Sequence, residues 1–179
     1  NGDTYQGFSA TTLDPDAIDY AQDHVRILSG LYGVLRPLDA MQPYRLEMGS
    51  RLKTRRGASL YAYWGDSLAK YLNSEAERLD TSVLLNCASQ EYFKAADTKA
   101  LTLDVITPVF LEDRDGVSKT VGFFAKRARG AMARYAVLRR AQNREDLVAF
   151  DFEGYCFDED ASTHGNLVFR RPYPAAAAA

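Results

Sequence analysis

The sequence predicts a single α+β domain, and three observations carry that prediction. Helical stretches with their own capping residues, notably at Asp14-Pro15 and Ser59, are separated by apolar runs of strand length. The two kinds of element interleave without the strand–helix–strand rhythm of a parallel α/β sheet. With 179 residues, 46% hydrophobic and 26% charged, the chain has material for one sizeable core.

Taken in order, the first helix opens at Asp14, a good N-cap, followed by Pro15, whose missing N–H is no loss at the first helical position. Ile18, Ala21, Val25 and Leu28 recur on one face, and Gly30 supplies a stop. A tight turn, Ser29 to Gly33, follows, and Pro37, Pro43 and Gly49 keep the next stretch irregular. Ser59 caps a second helix expected from Leu60 to Leu79, with Trp64, Leu68, Tyr71 and Leu72 on its apolar stripe. Val83-Leu84-Leu85 reads as a short strand, and Ser89 caps a short helix through Lys94.

Leu101 to Leu111 and Val117 to Phe124 read as two strands joined by a turn at Asp113 to Gly116. Ala125 to Ala141 is helical, and a shorter helix is expected from Glu145 to Ala149. Tyr155-Cys156-Phe157 and Leu167-Val168-Phe169 form a closing hairpin. The domain is placed at residues 1–171, and residues 172–179, ending in five alanines, are set aside as a tail.

Charge has to be read by position, because 22 basic against 24 acidic residues leave a formal net charge of −2. Two cysteines, Cys87 and Cys156, are too few for a disulfide framework, and they predict free thiols in a reducing cytoplasm. No apolar run reaches the roughly 20 residues of a membrane span. Eight Lys or Arg residues and no acid lie between Asp115 and Glu145. Lys126, Arg127, Arg129 and Arg134 fall on one side of that helix around the small residues Gly130 and Ala133, an arrangement that lets a ligand backbone come close. A solvated basic face, paired with Asp158-Glu159-Asp160, is the bland alternative.

A second basic run, Arg45, Arg51, Lys53, Arg55 and Arg56, is bordered by Gly49 and Gly57 and reads as an exposed loop able to follow phosphates. The third candidate is the turn with Gly30 and Gly33, where backbone N–H groups and Arg36 could face a phosphate; spacing alone favours an ordinary glycine C-cap. Enzyme chemistry has one foothold, Cys87 near Glu91, Tyr92 and Lys94, against which stands a merely buried cysteine. His24 and His164 are too few for a histidine metal site, so no catalytic residue, metal ligand or cofactor is assigned.

Several segments in order are more specific than any one. They are Leu28-Ser29-Gly30-Leu31-Tyr32-Gly33-Val34-Leu35-Arg36-Pro37-Leu38-Asp39, Gln42 to Gly49, Tyr63-Trp64-Gly65-Asp66, Ala88-Ser89-Gln90-Glu91-Tyr92-Phe93-Lys94, Ala125 to Gly130, and Glu153-Gly154-Tyr155-Cys156-Phe157-Asp158-Glu159-Asp160. This series resembles the bacterial YaaA family of peroxide-stress proteins over essentially residues 1–171. Family members carry a further N-terminal segment with a Ser-Pro-Ala-Lys-Thr signature, so the chain is expected to be the C-terminal two-thirds of such a protein.

The resemblance implies a cytosolic protein that helps limit free iron and iron-dependent oxidative damage under peroxide stress. It also implies a family-specific fold with a basic cleft and a helix-hairpin-helix-like element that binds double-stranded DNA. The DNA-binding set expected is Gly30, Gly33, Arg36, Arg45, Arg51, Lys53, Lys126, Arg127, Arg129 and Arg134. The competing expectation is an enzyme acting on a small phosphorylated or nucleotide-like substrate near Cys87 and Glu91. Direct iron binding is a weaker third.

Overall fold

The structure is a computed structural model, described over residues 2–174; the alanine run 175–179 lies outside the described residues. In chain order the elements are α1 (Asp3–Phe8), a 3-10 turn (Ala10–Thr12), α2 (Pro15–His24), β1 (Ile27–Ser29), β2 (Gly33–Leu35), α3 (Leu60–Trp64), α4 (Ser67–Arg78), β3 (Val83–Leu85) and α5 (Gln90–Phe93). They continue with β4 (Asp104–Arg114), β5 (Val117–Lys119), α6 (Gly122–Arg139), 3-10 turns at Glu145–Leu147 and Phe152–Gly154, β6 (Cys156–Asp158) and β7 (Asn166–Pro172). The fold is α+β. The elements gather into two compact units, one of Asp14–Asp104 and one combining Asn1–Leu13 with the chain from Val105 onward.

In the first unit, local cap chemistry does what the sequence predicts. Asp14 accepts from the Ala17 N–H at 2.7 Å, Ser59 from Ala62 at 3.2 Å and Ser89 from Tyr92 at 3.3 Å. Two expectations are corrected. The helix after Asp14 stops at His24, and Ile27 to Ser29 instead pair antiparallel with Gly33 to Leu35, so the glycine turn joins two strands. Val25 is already extended as the C-cap, and the β-branched Ile27 gains more from that pairing than from another helical turn. The helix after Ser59 is interrupted at Gly65, whose φ of 49° resets the chain before α4. Met48, Leu60, Leu68, Leu72, Ala95 and Ala96 form the buried core of this unit, with Trp64, Leu28 and Val34 packed against it.

The second unit is built on β4. β7 runs parallel to it, with Phe110 opposite Phe169, and β6 pairs antiparallel with β7. Asp115 and Gly116, both at positive φ, close a tight turn into β5, which pairs with the end of β4. β5 is shorter than expected: the helix begins at Gly122 and takes in Phe123 and Phe124. Every second residue from Ile106 to Glu112 is buried, and Phe110, Phe150, Tyr155 and Phe169 form an aromatic core at centroid distances of 5.0 to 5.8 Å.

Sequence reading missed α1, which docks on α6 through two glycines. A Cβ at Gly7 would lie 2.0 Å from the Arg127 carbonyl oxygen, and one at Gly130 would lie 1.8 Å from the Thr4 carbonyl oxygen. Only glycine permits this backbone contact.

Candidate functional site

The three basic segments have different fates. At the glycine turn, Gly33 takes a φ of 77° and lies against the Trp64 ring, while Gly30 faces the Leu46 carbonyl and accepts from the Trp64 indole N–H at 3.2 Å. The Ser29 hydroxyl accepts from the Tyr32 N–H at 2.9 Å and bonds the Tyr44 hydroxyl. Arg36 donates from Nε to the Gln22 carbonyl at 2.8 Å and pairs with Asp23 at 2.9 Å, at the end of α2. The glycines and Arg36 therefore build the hairpin of their own unit.

The stretch from Arg45 to Arg56 is different. Arg45 has 93% of its side chain exposed and lies 4.0 Å from Glu47. Arg51, Lys53, Arg55 and Arg56 are exposed too, on backbone that joins no helix or named strand. Arg56 lies over the Tyr63 ring at 5.1 Å. Among the described residues, no carboxylate is paired with Arg51, Lys53 or Arg55.

On α6 the expected basic face is largely engaged within the fold. Arg134 donates from one nitrogen to the carbonyls of Phe8 at 3.1 Å and Ser9 at 3.0 Å, satisfying the end of α1. Arg127 pairs with Glu153 at 3.2 Å and lies over the Phe152 ring. Arg129 bonds the Ala125 carbonyl at 3.3 Å. Gly130, expected to admit a ligand backbone, admits the backbone of α1 instead. Lys126 is exposed, and so are Arg139 and Arg140 at the end of the helix. Asp158, expected as a partner for this face, pairs with Arg170.

Behind Arg127 lies a charged network that sequence reading missed. Glu112, with no exposed surface, accepts from the Tyr155 hydroxyl and from the Val121 N–H at 2.9 Å, just ahead of α6. Arg171, 4% exposed, lies 3.6 Å from Glu112, pairs with Glu153 at 3.0 Å, and is sandwiched by Tyr155 at 4.3 Å and Phe124 at 4.6 Å. Glu153 thus bridges Arg171 and Arg127, held there on backbone at a φ of 50°, which a non-glycine residue adopts only at a cost. Burial, reinforced by the bond to Glu112, pushes the Tyr155 hydroxyl well above the ordinary tyrosine range, so it is a neutral donor. In the same unit a cleft of about 450 Å³ is lined by Arg127, Arg134, Ser9, Tyr135, Asp151 and Phe152, among others.

In the first unit, the Glu91 carboxylate accepts from the Gly49 N–H at 2.8 Å and its carbonyl accepts from the Tyr61 hydroxyl at 2.9 Å. Lys94 lies over the Tyr61 ring at 5.1 Å, and burial, then Glu91, raises the Tyr61 pKa. Glu91 is a loop fastener here, and Cys87 is half-buried and forms no disulfide among the described residues. Among the described residues, no three His, Cys, Asp or Glu side chains group as a metal site. No helix among them is long and apolar enough to cross a membrane.

Comparison with known proteins settles the family. The family model described as "Peroxide stress protein YaaA" matches residues 1–161. A UPF0246 protein of Ruegeria pomeroyi is 63% identical over 172 residues, covering 96% of this chain and 67% of the relative. Others from Roseobacter denitrificans and Caulobacter vibrioides are 61% and 55% identical, over 97% of this chain in each case and 68% of each relative. The chain belongs to the YaaA peroxide stress protein family.

It spans about two thirds of the length of these UPF0246 relatives. One sign of the network was present in the family-like sequence itself. Glu112 continues the buried phase of Ile106, Pro108 and Phe110 along β4, a place where an acid is tolerated only with partners. Those partners come from residues far along the chain, and nothing in their spacing announces them.

Proposed function

We propose that this protein serves the peroxide-stress response by binding double-stranded DNA without sequence readout, and that it helps limit iron-dependent damage to that DNA. The single observation that supports the reading is the exposed run Arg45, Arg51, Lys53, Arg55 and Arg56, whose cations, among the described residues, have no carboxylate partner apart from Glu47 beside Arg45. Unpaired guanidinium and ammonium groups on irregular backbone follow phosphates electrostatically and read no base edges. Lys126 on α6 is also exposed. Family membership supports the physiological setting.

The reading shifts weight within the expected set. Gly30, Gly33, Arg36 and Arg134 act by shaping the protein, whereas Arg45, Arg51, Lys53 and Lys126 touch phosphate. The test is titration of a mixed-sequence duplex across a range of salt. Log affinity should fall by about 0.9 per log salt for each phosphate contact, and the Arg51→Ala, Lys53→Ala double variant should lower that slope by about two contacts. A flat salt dependence, or a double variant that binds like the parent, would sink the proposal.

A further inference from the structure

The geometry points to a second site, independent of the DNA reading: the cleft beside α6 binds a small ligand that joins a flat ring to an anionic group, of mononucleotide size. Its volume of about 450 Å³ lies within the usual range for small-molecule pockets. Its lining includes Tyr135 and Phe152, Ser9, and the two arginines Arg127 and Arg134; Arg139 lies over the Tyr135 ring at 5.7 Å. Arg127 and Arg134 stand seven residues apart on one face of α6, about 10 Å along its axis, a span comparable with a nucleotide.

The two arginines are not equivalent. Arg134 spends its donors on the carbonyls of Phe8 and Ser9, so it closes the cleft wall. Arg127 is 39% exposed and is gripped from one side by Glu153, which the nearly buried Arg171 holds in turn. Its guanidinium is thereby oriented before any ligand arrives, the condition under which a charge-assisted hydrogen bond to an anion gains most. Phe152 lies beneath that guanidinium at 6.0 Å, so the same wall of the cleft carries an apolar ring next to the charge. The exposed Asp151 also lines the cleft and opposes an anion there, so its charge supplies a test of sign.

The experiment titrates the whole chain with adenosine 5′-monophosphate, adenosine, inorganic phosphate and a short 5′-phosphorylated single strand, followed by NMR or calorimetry. Adenosine monophosphate should bind saturably and adenosine about tenfold more weakly, the usual worth of one charge-assisted contact. Arg127→Gln should erase that difference. Phe152→Leu should weaken both ligands, and Asp151→Asn should tighten the monophosphate while leaving adenosine unchanged. If the phosphorylated strand alone binds and Arg127→Gln abolishes it, the cleft takes a strand end and the small-ligand proposal is overturned.

Saturable binding of neither ligand, or binding that Arg127→Gln and Phe152→Leu both leave unaltered, overturns the proposal. Arg51→Ala, Lys53→Ala should leave the monophosphate affinity untouched, so failure here and failure of the duplex-binding reading show separately.

Discussion

The loop from Arg45 to Arg56 and the helix α6 carry similar runs of positive charge, yet the fold treats them in opposite ways. On the helix, Arg134 closes the end of α1, Arg127 is locked to Glu153, and Gly130 receives a neighbouring backbone. On the loop, Arg51, Lys53 and Arg55 have no carboxylate partner among the described residues. A cation run in a sequence therefore reports potential, and what it does depends on which carbonyls and carboxylates the fold brings to it. Removing Arg127 or Arg134 from the helix should cost stability, and removing a loop cation should cost only binding.

The largest effect is expected at the network behind the helix. Glu112→Gln leaves Arg171 without its buried counter-charge and should destabilise by about 3–5 kcal/mol, measured by chemical denaturation. A loss below about 1 kcal/mol would show that the network does not hold the helix side together. Next comes Arg134→Ala, which strips two carbonyl partners and should cost about 1–3 kcal/mol. The loop pair Arg51→Ala, Lys53→Ala should stay within about 0.5 kcal/mol of the parent, as exposed substitutions do. Equal losses from Arg134→Ala and from the loop pair would erase the contrast.

The smallest effect is one of pH. Tyr155 is held neutral in the fold by burial and by Glu112, whereas in the unfolded chain it ionises near the ordinary value of about 10. A group with a raised folded-state pKa contributes stability fully present below its unfolded value and lost as pH rises beyond it. Melting temperature should therefore fall as pH climbs past about 10, and Tyr155→Phe should flatten that fall. A fall of the same steepness in the variant would remove Tyr155 from the account.

Legibility followed the range of the interaction. Asp14, Ser59 and Ser89 cap their helices through side chains that reach N–H groups three residues on, so the signal lies entirely within a few positions. The Asp115-Gly116 turn was legible for the same reason. The helix read through to Leu28 failed because β1 exists only with its partner β2. α1 was invisible because six residues with one buried position carry no helical period.

By itself the sequence determined the α+β class, the caps, the closing hairpin and the presence of two basic runs, since propensity and short-range hydrogen bonding decide those. Only the tertiary structure decided which basic run stays available. The partners that occupy Arg127 and Arg134 come from Glu153 and from the carbonyls of Phe8 and Ser9, groups distant in the chain. A guanidinium is satisfied by whatever oxygen the packing delivers, and residue spacing along the chain does not encode that.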